Sequence, residues 1–215
     1  MLRLTIPAML SQFIPPISAM IVTIIIASYG DLAIGAWGLA NRIEYISIIL
    51  ILALTMALPP MIGKLKGMNE TAKILALVKV AVMFVMCFQI ILALILYLFA
   101  PLMSSLLTNQ AEISAILQNY LWIVPLSYGA LGVCMICVSA CNAMSSPKSA
   151  LLISMLRLFA CYLPLIWIGS ELYGLLGVFI GACIGNFLSG ILAWNMFLKQ
   201  DTRYHSRCKV QQVVR

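Results

Sequence analysis

The chain has 215 residues, of which 64% are apolar and only 9% are charged, and its formal net charge is +7. Soluble domains average about 25% charged residues, so a chain this poor in charge cannot cover the surface of a soluble domain of its length. The composition therefore excludes a cytosolic enzyme, a disordered chain and a disulfide-stapled secreted domain, and it indicates a helical membrane protein that crosses the bilayer several times.

Long stretches without charge predict the membrane spans. Five stretches of 19 to 35 residues contain no Asp, Glu, Lys or Arg, and a sixth, Ser149–Ser170, is interrupted only by Arg157. About 20 apolar helical residues cross a bilayer core, so each stretch has room for one span. We therefore predict an all-α protein in which residues 1–198 form a six-helix transmembrane bundle and residues 199–215 a basic tail. The predicted spans are residues 6–29, 38–62, 76–99, 118–142, 149–169 and 174–197.

The charges between the spans predict the orientation. Basic residues occupy the connection between spans two and three, the connection between spans four and five, and the tail. The charged residues of the other three connections are acidic: Asp31, Glu112 and Glu171. By the positive-inside rule both termini are then cytoplasmic. Orientation and contact with anionic lipids account for the net positive charge, so no nucleic-acid partner is expected.

The sequence contains no pattern typical of an enzyme or a metal site. It has no Ser/His/Asp set, no phosphate-binding glycine loop and no paired carboxylates. Cys134, Cys137 and Cys141 share one helix face, but no His or carboxylate accompanies them. Thiols in that setting are expected to pack between helices rather than to bind zinc. We therefore expect no enzymatic activity, no metal and no cofactor.

Prolines interrupt several of the predicted spans. Pro15 and Pro16 lie in the middle of the first span beside Gln12, and Pro125 and Pro164 fall within spans four and five. A proline removes one helical N–H, and the carbonyl that loses its partner needs a neighbouring helix, a side chain or a wet cavity. Two interpretations remain open here, a packing kink and a hinge or cavity wall that serves alternating access.

Three ionisable residues fall within or next to the spans. Arg42 and Glu44 are two positions apart near the start of span two, so they point to different sides of the helix and need different partners. Membrane carboxylates and guanidinium groups mark functional sites or structural networks, and both remain open for this pair. Arg157 lies about two turns into span five, where a structural role, pinning neighbouring helices, is favoured.

Two further patterns concern polar and small side chains. Tyr128 is one of several polar residues within the spans that could line an aqueous path. Gly177, Gly181 and Gly185 recur every four positions in span six. Such a stripe of small residues lets another helix approach closely, so these glycines are predicted to serve helix packing.

Four stretches, in order and with matching spacing, resemble the C-terminal half of a multidrug and toxic compound extrusion (MATE) transporter. The stretches are LRLTIPAMLSQFIPP with SYGDLAIGAWGLANRIEYIS, TMALPPMIGKLKG, CNAMSSPKSALLISMLRLFACYLPL and YGLLGVFIGACIGNFLSGILAW. The resemblance implies one lobe of a two-lobed transporter that exports lipophilic, usually cationic drugs in exchange for Na+ or H+. It also implies a bacterial inner membrane and a second six-helix half as partner.

The resemblance also assigns residues to the central cleft between the two lobes. The cleft candidates are Gln12, Pro15, Pro16, Arg42, Glu44 and Tyr45, to which Tyr128 is added as a polar residue of span four. Arg157 occupies the position of an arginine in the family's eleventh span. Two alternatives remain open. One is a non-transporting membrane bundle, truncated or acting as a scaffold, and the other is a flippase for lipid-linked sugars from the wider superfamily.

Overall fold

The computed structural model describes residues 16–68, 70 and 72–213, without the side chains of residues 72, 201 and 203–213. Gln12, Pro15 and the start of the first predicted span lie outside the described residues. Every regular element in the described part is helical. The elements are α1 (Pro16–Ala27), α2 (Asp31–Gly67), α3 (Ala72–Leu107), α4 (Ala111–Ile123), a 3-10 turn (Val124–Ser127), α5 (Tyr128–Ala143), α6 (Pro147–Met155), a π-helix (Leu156–Tyr162) and α7 (Leu163–Val213).

Four helical segments in the described ranges are long and apolar enough to cross a membrane. They are Asp31–Gly67, Lys73–Leu107, Ala111–Ala143 and Pro147–Gln200, and Pro16–Ala27 is a shorter apolar helix. The last of the four is 54 residues long and contains non-helical backbone at Tyr173 and Gly174. This break separates the residues that the sequence assigns to spans five and six.

The helices extend beyond the predicted spans. α2 begins at Asp31 rather than at residue 38, and α3 continues to Leu107 rather than ending at residue 99. The spans were predicted from hydropathy, which identifies the residues that are suited to hydrocarbon. A helix can continue beyond those residues, because it ends only where the backbone changes direction. α2 starts directly after Gly30, whose φ of 98° few other residues adopt. Asp31 then places a negative charge in the first turn, where it interacts favourably with the positive end of the helix dipole. The backbone of α7 also stays helical through Val213, past the predicted boundary at 198/199.

Two of the predicted spans are not regular α-helices throughout. The 3-10 turn that contains Pro125 separates α4 from α5 within the span predicted at 118–142. The π-helix lies in the span predicted at 149–169 and ends just before Pro164. There the N–H of Leu163 donates to the carbonyl of Leu158, five residues earlier. π-helical turns inside α-helices widen the backbone and redirect the side chains around them.

The glycine stripe lies where the part of α7 after the break at Tyr173 and Gly174 folds back on the earlier part of α7 and on the π-helix. Gly177 contacts the backbone of Gly169, Gly181 contacts that of Leu165, and Gly185 lies against Tyr162. The order of these contacts is antiparallel. A Cβ atom at the first two glycines would overlap backbone atoms of the facing segment, so the close approach depends on the absence of a side chain.

Two clusters of buried side chains hold the helices together. The first contains Trp37, Tyr120 and Phe179, and the second contains Ile51 and Val78 together with the three cysteines of α5. Cys134, Cys137 and Cys141 are buried there as packing groups. Many large apolar side chains are exposed on the outer surface instead, as on any protein whose exterior faces lipid.

Candidate functional site

A cavity of about 400 Å³ opens between α1, α2, α5, α6 and the π-helix. Its volume lies within the range of about 300–1,000 Å³ found for small-molecule sites. Its surface is largely apolar but contains one carboxylate and one guanidinium. The lining residues from α1 and α2 are Pro16, Ser18, Ala19, Val22, Trp37, Asn41, Glu44, Tyr45, Ile48 and Leu52, and those from the later segments are Leu131, Met135, Ser154, Arg157, Leu158 and Tyr162.

Glu44 is the acidic residue of this cavity. Its Oε2 accepts a hydrogen bond of 3.0 Å from the hydroxyl of Tyr120 in α4. The same hydroxyl is 2.9 Å from that of Tyr128, the first residue of α5. A chain of three side chains therefore leads from the cavity surface into the packed interior, and its first link joins residues 76 positions apart in sequence.

Tyr120 is fixed in place by its aromatic neighbours. The side chain is only 1% exposed, and its ring makes edge contacts with Trp37 at 5.9 Å and with Phe179 at 5.4 Å between ring centroids. Trp37 in turn donates a 3.1 Å hydrogen bond from Nε1 to Oγ1 of Thr23 in α1. T-shaped aromatic pairs of this kind restrict ring orientation, so the Tyr120 hydroxyl stays directed at the carboxylate.

Arg157 lines the same cavity from the π-helix. Its side chain is half-buried and interacts electrostatically with Glu44, with Tyr162 and with the thiol of Cys134. Among the described residues, Lys73 and Glu70 form an ion pair with nitrogen and oxygen less than 4.0 Å apart. No described carboxylate lies that close to the guanidinium of Arg157. The structure places Arg157 on the cavity surface, and the structural role expected from the sequence stays a prediction.

The predicted cleft residues divide into four groups. Pro16, Glu44 and Tyr45 line the cavity. Arg42 is exposed and does not line it, because it points away from Glu44 on the same helix. Tyr128 is buried behind Tyr120 and reaches the cavity only through it. Gln12 and Pro15 lie outside the described residues.

Several lining residues carry a sequence signal that the predictions did not use. Trp37, Asn41, Glu44, Ile48 and Leu52 recur at intervals of three or four residues, which places them on one face of α2. Tyr120 and Tyr162 offer no comparable signal. Their positions depend on the packing of α4 and of the π-helix against α2, which local sequence does not determine.

A second set of buried polar side chains lies away from the cavity. Gln89 donates from Nε2 to the backbone carbonyl of Ser47 at 2.8 Å, and Asn186 donates from Nδ2 to Oγ of Ser127 at 3.0 Å. The first bond joins α3 to α2, and the second joins α7 to the 3-10 turn. These bonds connect helices and contact no part of the cavity lining.

Comparisons with known proteins agree with this architecture. Residues 7–168 match the family model described as MatE. The chain is 30% identical over 188 residues to a protein of Shewanella oneidensis named FAD transporter, an alignment that covers 87% of this chain and 42% of that protein. It superposes on the Vibrio cholerae MATE transporter VcmN in the bent form with a TM-score of 0.89 and 47% identity, covering 92% of this chain and 45% of that one.

A more distant structure shares the fold alone. It is a MOP superfamily transporter from Pyrococcus furiosus, described as having a binding pocket of reverse polarity. The TM-score is 0.86 at 19% identity, with 93% of this chain and 46% of that chain covered. The chain thus spans somewhat less than half the length of these relatives.

Proposed function

This chain belongs to the MATE family of transporters, and on that premise we propose that it forms one lobe of a cation-coupled antiporter. The lobe would consist of six membrane-crossing helices with both termini in the cytoplasm of a bacterium. The assembled transporter would sit in the inner membrane and export lipophilic cations while Na+ or H+ enters. Members of this family are transporters rather than enzymes, and we assign no catalytic step to the chain.

The position of Glu44 is the observation that carries the proposal. A carboxylate within a membrane-spanning helix is costly and is retained where it binds a cation or a proton. The Tyr120 hydroxyl bonds to one oxygen, Oε2. A carboxylate has about four lone-pair sites, so Glu44 keeps acceptor capacity toward the cavity. It can therefore bind an organic cation and a coupling ion in turn, which is the exchange that an antiporter requires.

The rest of the cavity lining supports a lipophilic substrate. Trp37, Tyr45 and Tyr162 contribute aromatic rings, and Tyr45 is 69% exposed. Aromatic faces attract organic cations, by about 0.5–2 kcal/mol per contact, and they also bury planar apolar surface. One carboxylate among apolar and aromatic side chains suits a cation with a large hydrophobic body.

A second lobe is part of the proposal. The chain covers 42% and 45% of the Shewanella and Vibrio relatives. We propose that a second six-helix half packs against the cavity side of this lobe, supplied by the same longer polypeptide or by a partner chain. Rocking of the two lobes would then expose Glu44 to each side of the membrane alternately.

Export of an acidic cofactor is the second candidate function. The Shewanella relative is named FAD transporter. FAD carries negatively charged phosphates, which a cavity whose only charged group was Glu44 would repel. The presence of Arg157 on the same cavity favours this candidate. The two candidates predict different cargo for one site, so a single set of assays separates them.

The experiment measures efflux from cells that produce the assembled transporter containing this chain. Wild type, Glu44→Gln and the matched control Glu112→Gln, an exposed carboxylate at the start of α4, are compared with ethidium and with FAD. We expect Glu44→Gln to lower ionophore-sensitive ethidium efflux about tenfold, equivalent to one lost charged contact of roughly 1.4 kcal/mol, and Glu112→Gln to leave it unchanged. Wild-type efflux by Glu44→Gln contradicts the proposal. Efflux of FAD without ethidium would favour the second candidate.

A further inference from the structure

We propose that Arg157 selects substrates that carry an acidic group, a carboxylate or a phosphate, on an aromatic body. This inference rests on the proposed transport function, since it concerns the same cavity. It makes Arg157 a residue of substrate specificity rather than a structural pin, and it defines the preferred substrate as a compound with opposite charges at its two ends.

The local backbone directs the Arg157 side chain into the cavity. Arg157 is the second residue of the π-helix, and Leu158 and Tyr162 of the same seven-residue element also line the cavity. The wider π-helical turn precedes Pro164, which cannot donate a backbone hydrogen bond. π-helical turns of this kind occur often at functional sites, because they redirect side chains that a regular helix would place elsewhere.

The partners of the guanidinium leave it in need of an anion. A half-buried charge without a close counter-charge is unfavourable in a membrane. Its described neighbours are the Cys134 thiol, the Tyr162 hydroxyl and Glu44, with no carboxylate within 4.0 Å among the described residues. A structural pin would be expected to pair directly with a carboxylate or with backbone carbonyls. Arg157 instead contacts the Cys134 thiol and lines the open cavity.

The chemistry of the guanidinium determines what it would bind. Its five N–H donors form a rigid, planar fork that matches the two oxygens of a carboxylate or phosphate. Glu44 faces the same cavity and attracts the opposite charge. A substrate with a cationic end at Glu44 and an acidic end at Arg157 satisfies both groups, while its aromatic body contacts Tyr45 and Tyr162.

Two dyes that differ in a single group provide the test. Rhodamine 110 has a free carboxyl group, and rhodamine 123 is its methyl ester with the same cationic ring system. Efflux of both is measured for the assembled transporter as wild type, Arg157→Gln, Arg157→Lys and the control Lys148→Gln. Lys148 is an exposed residue of α6, at the start of the same helical segment.

We expect Arg157→Gln to lower rhodamine 110 efflux about tenfold or more, the loss of a charged bidentate contact, while rhodamine 123 efflux changes less than about twofold. Arg157→Lys should retain part of the rhodamine 110 activity, since it keeps the charge but loses the fork. Lys148→Gln should match wild type with both dyes. Continued rhodamine 123 efflux also shows that each variant is folded.

Equal loss of both dyes in a variant that still folds, judged by its thermal unfolding, would overturn the inference and restore the structural role. Wild-type export of rhodamine 123 without rhodamine 110 would overturn it while leaving the proposed function intact. Export of neither dye would count against the proposed function instead. In that case fluorescence anisotropy of rhodamine 110 with the purified transporter decides. Weaker binding in Arg157→Gln alone supports the inference, and equal binding in all variants overturns it.

Discussion

Replacing Gly181 with alanine tests the helix contact on which the cavity wall depends. The glycine faces the backbone of Leu165, one turn after the π-helix that holds Arg157. A Cβ atom added there would lie 2.7 Å from the carbonyl carbon of Leu165 and 3.0 Å from the Cα of Ile166. These are backbone atoms, so no side chain can rotate away, and the two segments must separate.

The expected magnitude follows from two opposing effects. Overpacking costs about 1–3 kcal/mol, and the upper end applies where backbone atoms are involved. Alanine recovers about 1 kcal/mol of helix propensity relative to glycine. The net loss is then about 2 kcal/mol. Gly38→Ala is the matched control, because that glycine lies on an exposed face of α2 with nothing within 4 Å of an added Cβ. It should be neutral or stabilising by up to about 1 kcal/mol.

Thermal unfolding of the purified transporter measures both variants, followed by a maleimide dye that reacts with the buried thiols of α5 as they become accessible. At about 2–4 °C per kcal/mol, Gly181→Ala should unfold about 4–8 °C below wild type, and Gly38→Ala at or above wild type. A midpoint for Gly181→Ala equal to that of Gly38→Ala would mean that the two segments do not approach each other at this glycine.

Two further predictions concern single hydroxyl groups. Tyr120→Phe removes the hydroxyl that donates to Glu44. Because hydrogen bonds to charged groups contribute about 1.5–3 kcal/mol, ethidium efflux should fall about tenfold. Tyr97→Phe, an exposed tyrosine of α3, should have no effect, and equal efflux by the two variants would exclude a role for the Tyr120 bond. Tyr29→Phe removes the hydrogen bond to the backbone carbonyl of Ser170, and thermal unfolding should occur about 2–4 °C lower for a loss of about 1 kcal/mol. An unchanged midpoint would mean that this bond is replaced by water at no cost.

The sequence predicted the helical architecture because bilayer physics acts on local composition. A helix within hydrocarbon has to be apolar over about 20 residues, so charge-free stretches indicate where α2, α3 and the later segments lie. The helix ends and the predicted membrane spans follow different rules. Gly30 directly precedes α2 and Gly174 interrupts α7, both with positive φ angles. The pattern of charges does not mark such backbone turns, because it reflects only which residues are suited to water or to hydrocarbon.

The candidate site was only partly predictable, and the reason differs for each residue. Glu44 stands out as a carboxylate within an apolar segment. Tyr120 is 76 positions away from it, and nothing in the sequence around Tyr120 distinguishes a carboxylate partner from a buried packing ring. Arg157 was expected to be structural, because an unpaired guanidinium within a span would be costly and should pair with a neighbouring group. Its direction depends on a π-helical turn whose register local sequence does not predict.

Flux driven by an imposed ion gradient measures whether transport is coupled to an ion at Glu44. Proteoliposomes containing the assembled transporter, as wild type and as Glu44→Gln, are given a Na+ or an H+ gradient, and the movement of ethidium is measured with and without it. The proposed mechanism predicts that one of the two gradients accelerates ethidium movement in the opposite direction, and that Glu44→Gln abolishes this acceleration. Ethidium movement that is independent of both gradients in wild type, or equally gradient-driven in Glu44→Gln, would contradict coupled exchange at Glu44.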